Sequence, residues 1–157
     1  MSSQATPVIE EAIALAAQAH RGQVDKAGEP YVLHLLRVML RMRRPEQRII
    51  AVLHDLVEDT PYTCDSLRDM GYPESIVSGI DALTRRPTES YMEFVQRAGA
   101  NDLARAVKLA DLEDNLDLRR IPDPQPRDLE RIVRYVAARQ YLLSMDKTEH
   151  PRHLNDH

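Results

Sequence analysis

Apolar residues recur every three or four positions along most of the chain, and this spacing predicts helices. The clearest case is the run of Ile49, Ile50, Leu53 and Val57, which share one face of a helix predicted over 45–59. No segment alternates apolar and polar residues with a period of two for long enough to predict a strand. We therefore expect an all-α fold, a compact bundle of about seven or eight helices joined by short loops.

Caps and helix breakers set the limits of these helices. Thr6 and Pro7 indicate a helix start with proline at the first helical position, and Asn101 indicates an N-cap. Three prolines within 121–126 predict a connector. The apolar stripe predicted for the last helix comprises Leu129, Ile132, Val133 and Val136. The predicted helices are 7–22, 31–42, 45–59, 63–70, 73–83, 89–98, 102–118 and one that ends near residue 144.

The length of 157 residues suits one compact domain, and 43% apolar residues is normal for a globular protein. Aromatic residues make up only 4% of the chain, so the core must be aliphatic, which favours helices over a β-sandwich. We assign 1–145 to a single domain and expect 146–157 to be a polar, flexible tail. Its histidines, His150, His153 and His157, could bind metal adventitiously.

The charge and cysteine content exclude several classes of protein. The net charge is −4 and the basic residues are dispersed, so we expect no binding to duplex nucleic acid. A small nucleotide held through a metal and a few cations remains compatible with this charge. The single cysteine, Cys64, excludes an intramolecular disulfide. No apolar run approaches the roughly 20 residues that span a bilayer, and the N-terminus lacks the features of a signal peptide. We therefore expect a soluble, cytoplasmic protein that is not membrane-bound.

Residues 54–60 concentrate ionisable side chains at the end of an apolar helix. His54 and Glu58 lie four residues apart, as do Asp55 and Asp59, and side chains with this spacing meet on one helix face. A carboxylate and an imidazole are costly to bury unless a positive charge balances them. A divalent metal ion would supply that charge, so the segment is a candidate metal and catalytic site.

Further polar residues fall on apolar faces of other predicted helices. His34 shares a largely apolar face, and Asp111 and Asp114 lie on the inward stripe of a later helix. Each has an ordinary structural explanation, a hydrogen-bonded core histidine or an ion-paired aspartate. Together with the 54–60 segment they could converge on one ion, and a mixed imidazole and carboxylate set suits Mn, Fe, Co or Zn. The remaining acids of 54–60 could then activate and position a water molecule.

Three motifs in order resemble the HD-superfamily hydrolase domain of RelA/SpoT-type proteins: 28–34, 54–60, and 108–111 with Asn115 four residues later. At this length the chain looks like a small stand-alone alarmone hydrolase. The resemblance implies an HD-domain helical bundle. It also implies removal of the 3′-pyrophosphate from guanosine tetra- or pentaphosphate, which leaves GDP or GTP and pyrophosphate.

The resemblance also implies roles for individual residues. The implied ligands of a manganese ion, or of another divalent metal, are His34, His54, Asp55 and Asp111. The residues implied to orient and activate the attacking water are Glu58 and Asp59. The expected substrate contacts are Asn115 near the sugar, Thr60 beside the acidic pair and Lys26 in the covering loop, with Arg21 and Arg85 as weaker candidates for phosphate contact.

The chain departs from the family pattern at three cationic positions. Asp25 precedes Lys26 where the family usually carries an arginine, and Leu112 and Asp117 stand where it carries basic residues. A hydrogen bond to a charged group is worth about 1.5–3 kcal/mol, so these losses matter for a highly phosphorylated ligand.

Four functions are therefore compatible with the sequence. The first is the alarmone hydrolase. The second is the same hydrolytic centre acting on another nucleotide phosphoester, such as an adenosine alarmone or the 2′-phosphate of NADPH. The third is a module that senses a nucleotide without turnover, and the fourth is a helical interaction domain. The last helix carries Tyr135, Tyr141, Leu142 and Leu143, which could pack within the chain or against a second subunit in a homo-oligomer.

Overall fold

The computed structural model describes residues 7–149, with side chains described up to Asp146. Within this range the chain forms nine α-helices and one short 3₁₀ helix, and its only β-structure is an isolated bridge between Val24 and Pro30. The all-α prediction is confirmed. The helices are α1 (Ile9–Ala19), α2 (Tyr31–Leu40), α3 (Pro45–Leu53), α4 (Leu56–Asp59), α5 (Cys64–Asp69), α6 (Glu74–Ala82), α7 (Tyr91–Ala100), α8 (Asp102–Asn115) and α9 (Pro126–Glu149), with the 3₁₀ helix at Leu118–Arg120.

Helix α3 forms the centre of the bundle. Its residues 49–53 are all buried, and it packs against α1, α2, α6 and α8. A helical segment that is apolar on all sides is stable only when other elements surround it, and this is the position of residues 49–53 of α3. In the described part of the chain, no helix combines the length and the apolar character needed to cross a membrane.

The helix predicted over 45–59 is two helices. Helix α3 ends at Leu53 and α4 begins at Leu56, so His54 and Asp55 form a corner between them. The backbone of Asp55, with φ −100° and ψ 4°, leaves the helical region there. The break explains why the structure has more helices than a count of apolar stripes predicts. It also points two adjacent polar side chains towards α2 and α8.

The predicted apolar stripe of α9 is wrong at three of its four residues, and the fourth, Ile132, is half-buried. Leu129, Val133 and Val136 are 55%, 69% and 41% exposed, whereas Ala138 and Leu142 are fully buried. Because α9 lies against α7 and α8, the side that faces them is buried, with Tyr135, Tyr141 and Met145 half-buried beside Ala138 and Leu142.

Several helix ends also differ from the prediction. Helix α1 begins at Ile9 rather than Pro7, and Thr6 lies outside the described residues. The predicted N-cap of α8 is confirmed, because the Asn101 side chain accepts hydrogen bonds from the backbone of Leu103 and Ala104. Helix α9 continues to Glu149, into the segment predicted as a tail. The rest of that segment, with its three histidines, lies outside the described residues.

Candidate active site

Three helical segments bring a histidine–aspartate cluster together at the centre of the fold. His34 comes from α2, His54 from the corner after α3 and Asp111 from α8, and one ligand atom of each lies within 4.8 Å of the others. Asp111 Oδ1 lies 3.0 Å from His34 Nε2 and 3.4 Å from His54 Nε2. All three residues are buried. The structure therefore groups three of the four predicted metal ligands into one set.

The hydrogen bonds around the two histidines match what metal coordination requires. His54 Nδ1 donates to the Ala51 carbonyl at 2.6 Å, and His34 Nδ1 donates to Asp114 Oδ2 at 2.6 Å. Each bond places a proton on Nδ1 and turns Nε2 towards the cluster, where a neutral ring offers a lone pair to a metal ion. Burial lowers the pKa of both rings, but the facing carboxylates outweigh it and raise the pKa of His34 and His54, so a proton takes the place of the ion when no metal is bound. His54 Nε2 is buried and has no hydrogen-bond partner within the described residues. This mixed set of imidazole and carboxylate donors fits a borderline divalent metal.

Asp55, the fourth predicted ligand, lies at the edge of this set. Its Oδ2 is 3.1 Å from His54 Nε2 and accepts a hydrogen bond from the Tyr31 hydroxyl. Burial and the neighbouring Asp55 carboxylate raise the pKa of Tyr31, so its hydroxyl remains a donor. Tyr31 therefore orients Asp55, the second candidate ligand at the corner between α3 and α4.

Asp114 is not part of the cluster, but it holds His34 through the ring nitrogen that faces away from the cluster. In addition to the bond from His34, it accepts hydrogen bonds from Arg37 at 2.8 and 3.1 Å and from Arg120 at 2.6 Å. Burial alone would raise the pKa of Asp114, but these donors outweigh it and hold the pKa well below its usual range. The anionic carboxylate fixes the ring of His34 in the orientation that a metal needs.

Lys108 is a buried cation that sequence analysis did not assign to the site. Its side chain is 9% exposed, and Nζ lies 3.0 Å from Asp111 Oδ2 and 4.8 Å from the centroid of the Phe94 ring. Burial alone would lower the pKa of Lys108, but the Asp111 carboxylate outweighs it and raises the pKa. The sequence did contain a signal for this contact, because Lys108 lies three residues before Asp111 and residues with this spacing meet on one helix face.

Asn115 holds the other oxygen of Asp111. Its side-chain amide donates to Asp111 Oδ1 and to the Asp111 carbonyl, both at 3.0 Å. Together with Lys108 it fixes both oxygens of this carboxylate. The structure thus places the Asn115 side chain against Asp111.

The acidic pair Glu58 and Asp59 lies beside the cluster at the end of α4. Both residues are exposed, and partial loss of hydration raises the pKa of Glu58, although the Arg85 amide donates to its Oε1 at 3.1 Å. Partial loss of hydration and the nearby Asp55 carboxylate raise the pKa of Asp59. Carboxylates with raised pKa values are suited to accept and release a proton near neutral pH.

A hydrogen-bonded chain that sequence analysis missed supports Asp59. The Gln23 side chain donates to the Asp59 carbonyl at 3.2 Å, and His20 Nδ1 lies 2.8 Å from Gln23 Oε1. His20 is buried and its ring lies 5.5 Å from that of Tyr31. The loop after α1 thereby contacts the corner after α3.

The cluster and the acidic pair form one end of a cavity of about 420 Å³. Lys26, Arg85 and Asn115 line this cavity, as predicted for substrate contacts, whereas Arg21 and Thr60 do not. Arg21 is exposed in the turn after α1. The Thr60 hydroxyl donates to the Leu56 carbonyl and closes the last turn of α4, so it is not available to a ligand in the cavity.

The three departures from the family pattern have different surroundings. Leu112 is fully buried against α9 and does not line the cavity. Asp25 and Asp117 both line the cavity. Asp117 forms an ion pair with Arg119 at 2.8 Å, and Asp25 forms one with Arg120. Two of the three departures therefore change the charge of the cavity wall.

The fold and the buried cluster define the class to which this chain is similar. An all-α bundle that carries an adjacent His54–Asp55 pair, a second histidine and a distant aspartate has the organisation of an HD-type hydrolase domain. The chain matches a solved structure described as a metazoan ortholog of SpoT that hydrolyzes ppGpp and plays a role in starvation responses. The TM-score is 0.71 at 24% identity, and the match covers 87% of this chain and 83% of that one. This likeness shows the fold.

Sequence relatives specify the resemblance further. No model of a protein family matches the chain. The chain is 28% identical over 120 residues to the guanosine-3′,5′-bis(diphosphate) 3′-pyrophosphohydrolase of Aquifex aeolicus, which covers 69% of this chain and 17% of that protein. It is 28% identical over 141 residues to the bifunctional (p)ppGpp synthase/hydrolase SpoT of Escherichia coli K12, and this match covers 80% of this chain and 20% of that protein. It is 34% identical over 93 residues to the GTP pyrophosphokinase of Streptomyces coelicolor, and this match covers 56% of this chain and 11% of that protein.

The aligned region spans only 11% to 20% of the length of these relatives. Their names cover both hydrolysis and synthesis of the same nucleotides. The comparisons confirm the resemblance to the HD-type hydrolase domain of RelA/SpoT proteins that the three motifs predict.

Proposed function

We propose that this chain is a metal-dependent phosphohydrolase that removes the 3′-pyrophosphate from guanosine tetra- or pentaphosphate. The observation that carries the proposal is the buried cluster of His34, His54 and Asp111 beside two carboxylates of raised pKa. The names of the relatives support the substrate class. We propose Mn²⁺ as the ion, held by this cluster together with Asp55.

In this mechanism the side chains of the chain position the reactants and transfer protons. A divalent ion bound to the cluster supplies Lewis-acid chemistry to the phosphate and the attacking water. Glu58 or Asp59 takes a proton from the water. The water oxygen bonds to the phosphorus attached to ribose O3′, the bond between O3′ and that phosphorus breaks, and O3′ receives a proton. The products are pyrophosphate and a nucleotide with a free 3′-hydroxyl.

The remaining polar residues hold this arrangement in place. Tyr31 orients Asp55, while Lys108 and Asn115 orient Asp111. Lys26 and Arg85 are the cations of the cavity that we assign to the phosphate groups. Preorganised charges of this kind are the main source of catalysis in phosphoryl transfer.

A second candidate is the same hydrolytic centre acting on a different nucleotide phosphoester. The observation that favours it is the acidic character of the cavity wall at Asp25 and Asp117. An adenosine alarmone and the 2′-phosphate of NADPH are the alternatives of this class.

Product analysis by anion-exchange chromatography tests both candidates. The purified protein is incubated with guanosine tetraphosphate, its adenosine counterpart and NADPH in parallel, with Mn²⁺ and with a chelator. We expect Mn²⁺-dependent release of pyrophosphate from the guanosine compound. Cleavage of another substrate only would transfer the assignment to the second candidate. If no compound is cleaved but each is bound, as measured by calorimetry, the chain is a nucleotide sensor.

A further inference from the structure

The wall of the cavity is unusually acidic for a site that binds phosphate. Seven carboxylates line it against five lysine and arginine side chains, a formal charge of −2 that the proposed divalent ion brings only to zero. Three of these cations form ion pairs with carboxylates: Lys108 with Asp111, Arg131 with Asp128, and Arg120 with Asp25 and Asp114. Among the described residues of the wall, Lys26 and Arg85 are the cations that form no such ion pair.

Asp25 neutralises the positive charge of Arg120 in particular. Arg120 lines the cavity with its side chain 21% exposed, and one terminal nitrogen is bonded to Asp114 while the other is bonded to Asp25. The pairing with Asp114 supports His34. The pairing with Asp25 has no such role in the cluster, and it neutralises a cation that would otherwise face the ligand.

The loop that carries Asp25 is built to hold this carboxylate in place. Asp25 Oδ1 accepts hydrogen bonds from the backbone of Ala27 at 2.9 Å and of Glu29 at 3.0 Å. Gly28 adopts φ +79°, which glycine accommodates without strain, and closes the turn. Asp25 Oδ2 therefore remains directed at Arg120, with the carboxylate only 7% exposed.

The charge on a nucleotide outside the reacting 3′ group must be balanced by the rest of the cavity. We propose that the Asp25–Arg120 ion pair makes the cavity select nucleotides that carry few phosphate groups on the 5′ side. The preferred substrate class is then a nucleoside 3′-diphosphate with one 5′-phosphate, ahead of its 5′-diphosphate and 5′-triphosphate analogues. This inference rests on the proposed function, because it assumes that the 3′-pyrophosphate lies at the histidine–aspartate cluster.

Coulomb's law gives the size of the expected effect. With Asp25 and Asp114 both ionised, the group that they form with Arg120 carries a formal charge of −1, and without the charge of Asp25 it is neutral. One such unit charge about 8 to 10 Å from an added phosphate, in a partly hydrated site, lowers binding about three- to tenfold. Salt screens such an interaction, because the Debye length falls from about 10 Å at 0.1 M to about 3 Å at 1 M. A dependence on 5′-phosphate number that high salt weakens is therefore the signature of this selection.

The experiment measures kcat/KM for guanosine 3′-diphosphates that carry one, two or three 5′-phosphates, at saturating Mn²⁺. The parent is compared with Asp25→Asn and with Asp69→Asn, which removes the same charge from an exposed position on α5, away from the cavity. An asparagine at position 25 can still accept the bonds from Ala27 and Glu29, so the loop is retained. We expect kcat/KM to fall at least about threefold per added 5′-phosphate in the parent and in Asp69→Asn, and this dependence to be largely lost in Asp25→Asn.

Each outcome has a separate meaning. If none of the three nucleotides is turned over, the proposed function fails. If all are turned over but kcat/KM in the parent is flat or rises with 5′-phosphate number, the selection proposed here is wrong. It is also wrong if Asp25→Asn folds, as judged by its melting temperature, and keeps the parent's dependence. Should Asp25→Asn not fold, the parent at high salt decides, because an undiminished dependence there contradicts an electrostatic cause.

Discussion

Both ring nitrogens of His54 are buried, and each is defined by its neighbours. The Ala51 carbonyl requires a proton on Nδ1, so in the neutral ring Nε2 faces the oxygens of Asp55 and Asp111 with a lone pair. Two lone pairs facing each other at about 3 Å are unfavourable unless a cation or a proton lies between them. This local arrangement supports a metal site more strongly than the presence of a His-Asp pair in the sequence.

At the same scale, the acidic pair gives the first prediction. Asp59→Asn and Glu58→Gln each replace a carboxylate that can accept a proton by an amide of nearly the same shape. For the variant that lacks the general base we expect kcat to fall about 10²- to 10⁴-fold, with a melting temperature close to that of the parent. Turnover of the guanosine substrate by purified variants measures this. Parent-like rates in both variants would remove the acidic pair from the mechanism.

The pH dependence of the reaction gives a second prediction. Partial loss of hydration raises the pKa of Glu58 and of Asp59, and the base must be deprotonated to act. At saturating metal, log kcat/KM should therefore rise with pH through an apparent pKa above the ordinary carboxyl value of about 4, and then level off. The variant that lacks the base should lose this limb. A rate that is constant from pH 4 to pH 7 would contradict the assignment.

At the scale of elements, α9 shows that the neighbouring helices decide which face of a helix is buried. It carries apolar residues on more than one face, and contact with α7 and α8 selects the face of Ala138 and Leu142. The sequence pattern gave the apolar stripe with Val133, and it left open whether Leu142 and its neighbours pack within the chain or against a second subunit; in the structure Leu142 packs within the chain.

Substitution on the two faces of α9 tests this orientation. Leu142→Ala removes a fully buried side chain, and we expect it to lower the free energy of unfolding by about 2–5 kcal/mol. Val133→Ala removes methyl groups from a side chain that is 69% exposed, and we expect a change within about 0.5 kcal/mol. Urea denaturation of both variants gives the comparison. Equal losses would mean that α9 is oriented differently.

The sequence was sufficient for those parts of the structure that depend on local spacing. Helical periodicity, the cap at Asn101 and the loop before Tyr31 follow from residues near one another in the chain, and all are found in the structure. The break between α3 and α4 was not predictable from spacing, because the residues on either side keep a helical pattern.

The candidate site divides in the same way. The three motifs identified His34, His54 and Asp111 before their contact was known. The support from Asp114 and the pairing of Asp25 with Arg120 could not be predicted, because no motif links these partners, which are 80 and 95 residues apart in the sequence. Such contacts depend on how the helices pack.

At the scale of the whole molecule, the cluster links α2, the corner after α3 and α8. An ion that binds these residues only in the folded chain must stabilise it. At an Mn²⁺ concentration of 100 Kd we expect about 2.7 kcal/mol of added stability and a higher melting temperature. Scanning calorimetry of the metal-depleted protein, with and without Mn²⁺, measures this shift. His54→Gln should lose it, and an equal shift in that variant would place the ion elsewhere.

The measurement that tests the central claim most directly is a metal titration of turnover. Protein depleted of metal by a chelator is mixed with guanosine tetraphosphate, and pyrophosphate release is followed as Mn²⁺ is added. The proposed function predicts no release without metal and a rate that saturates as the His34–His54–Asp111 cluster fills, with one ion per chain. Release that continues undiminished in the depleted protein would contradict the account, as would its absence with every divalent metal tried.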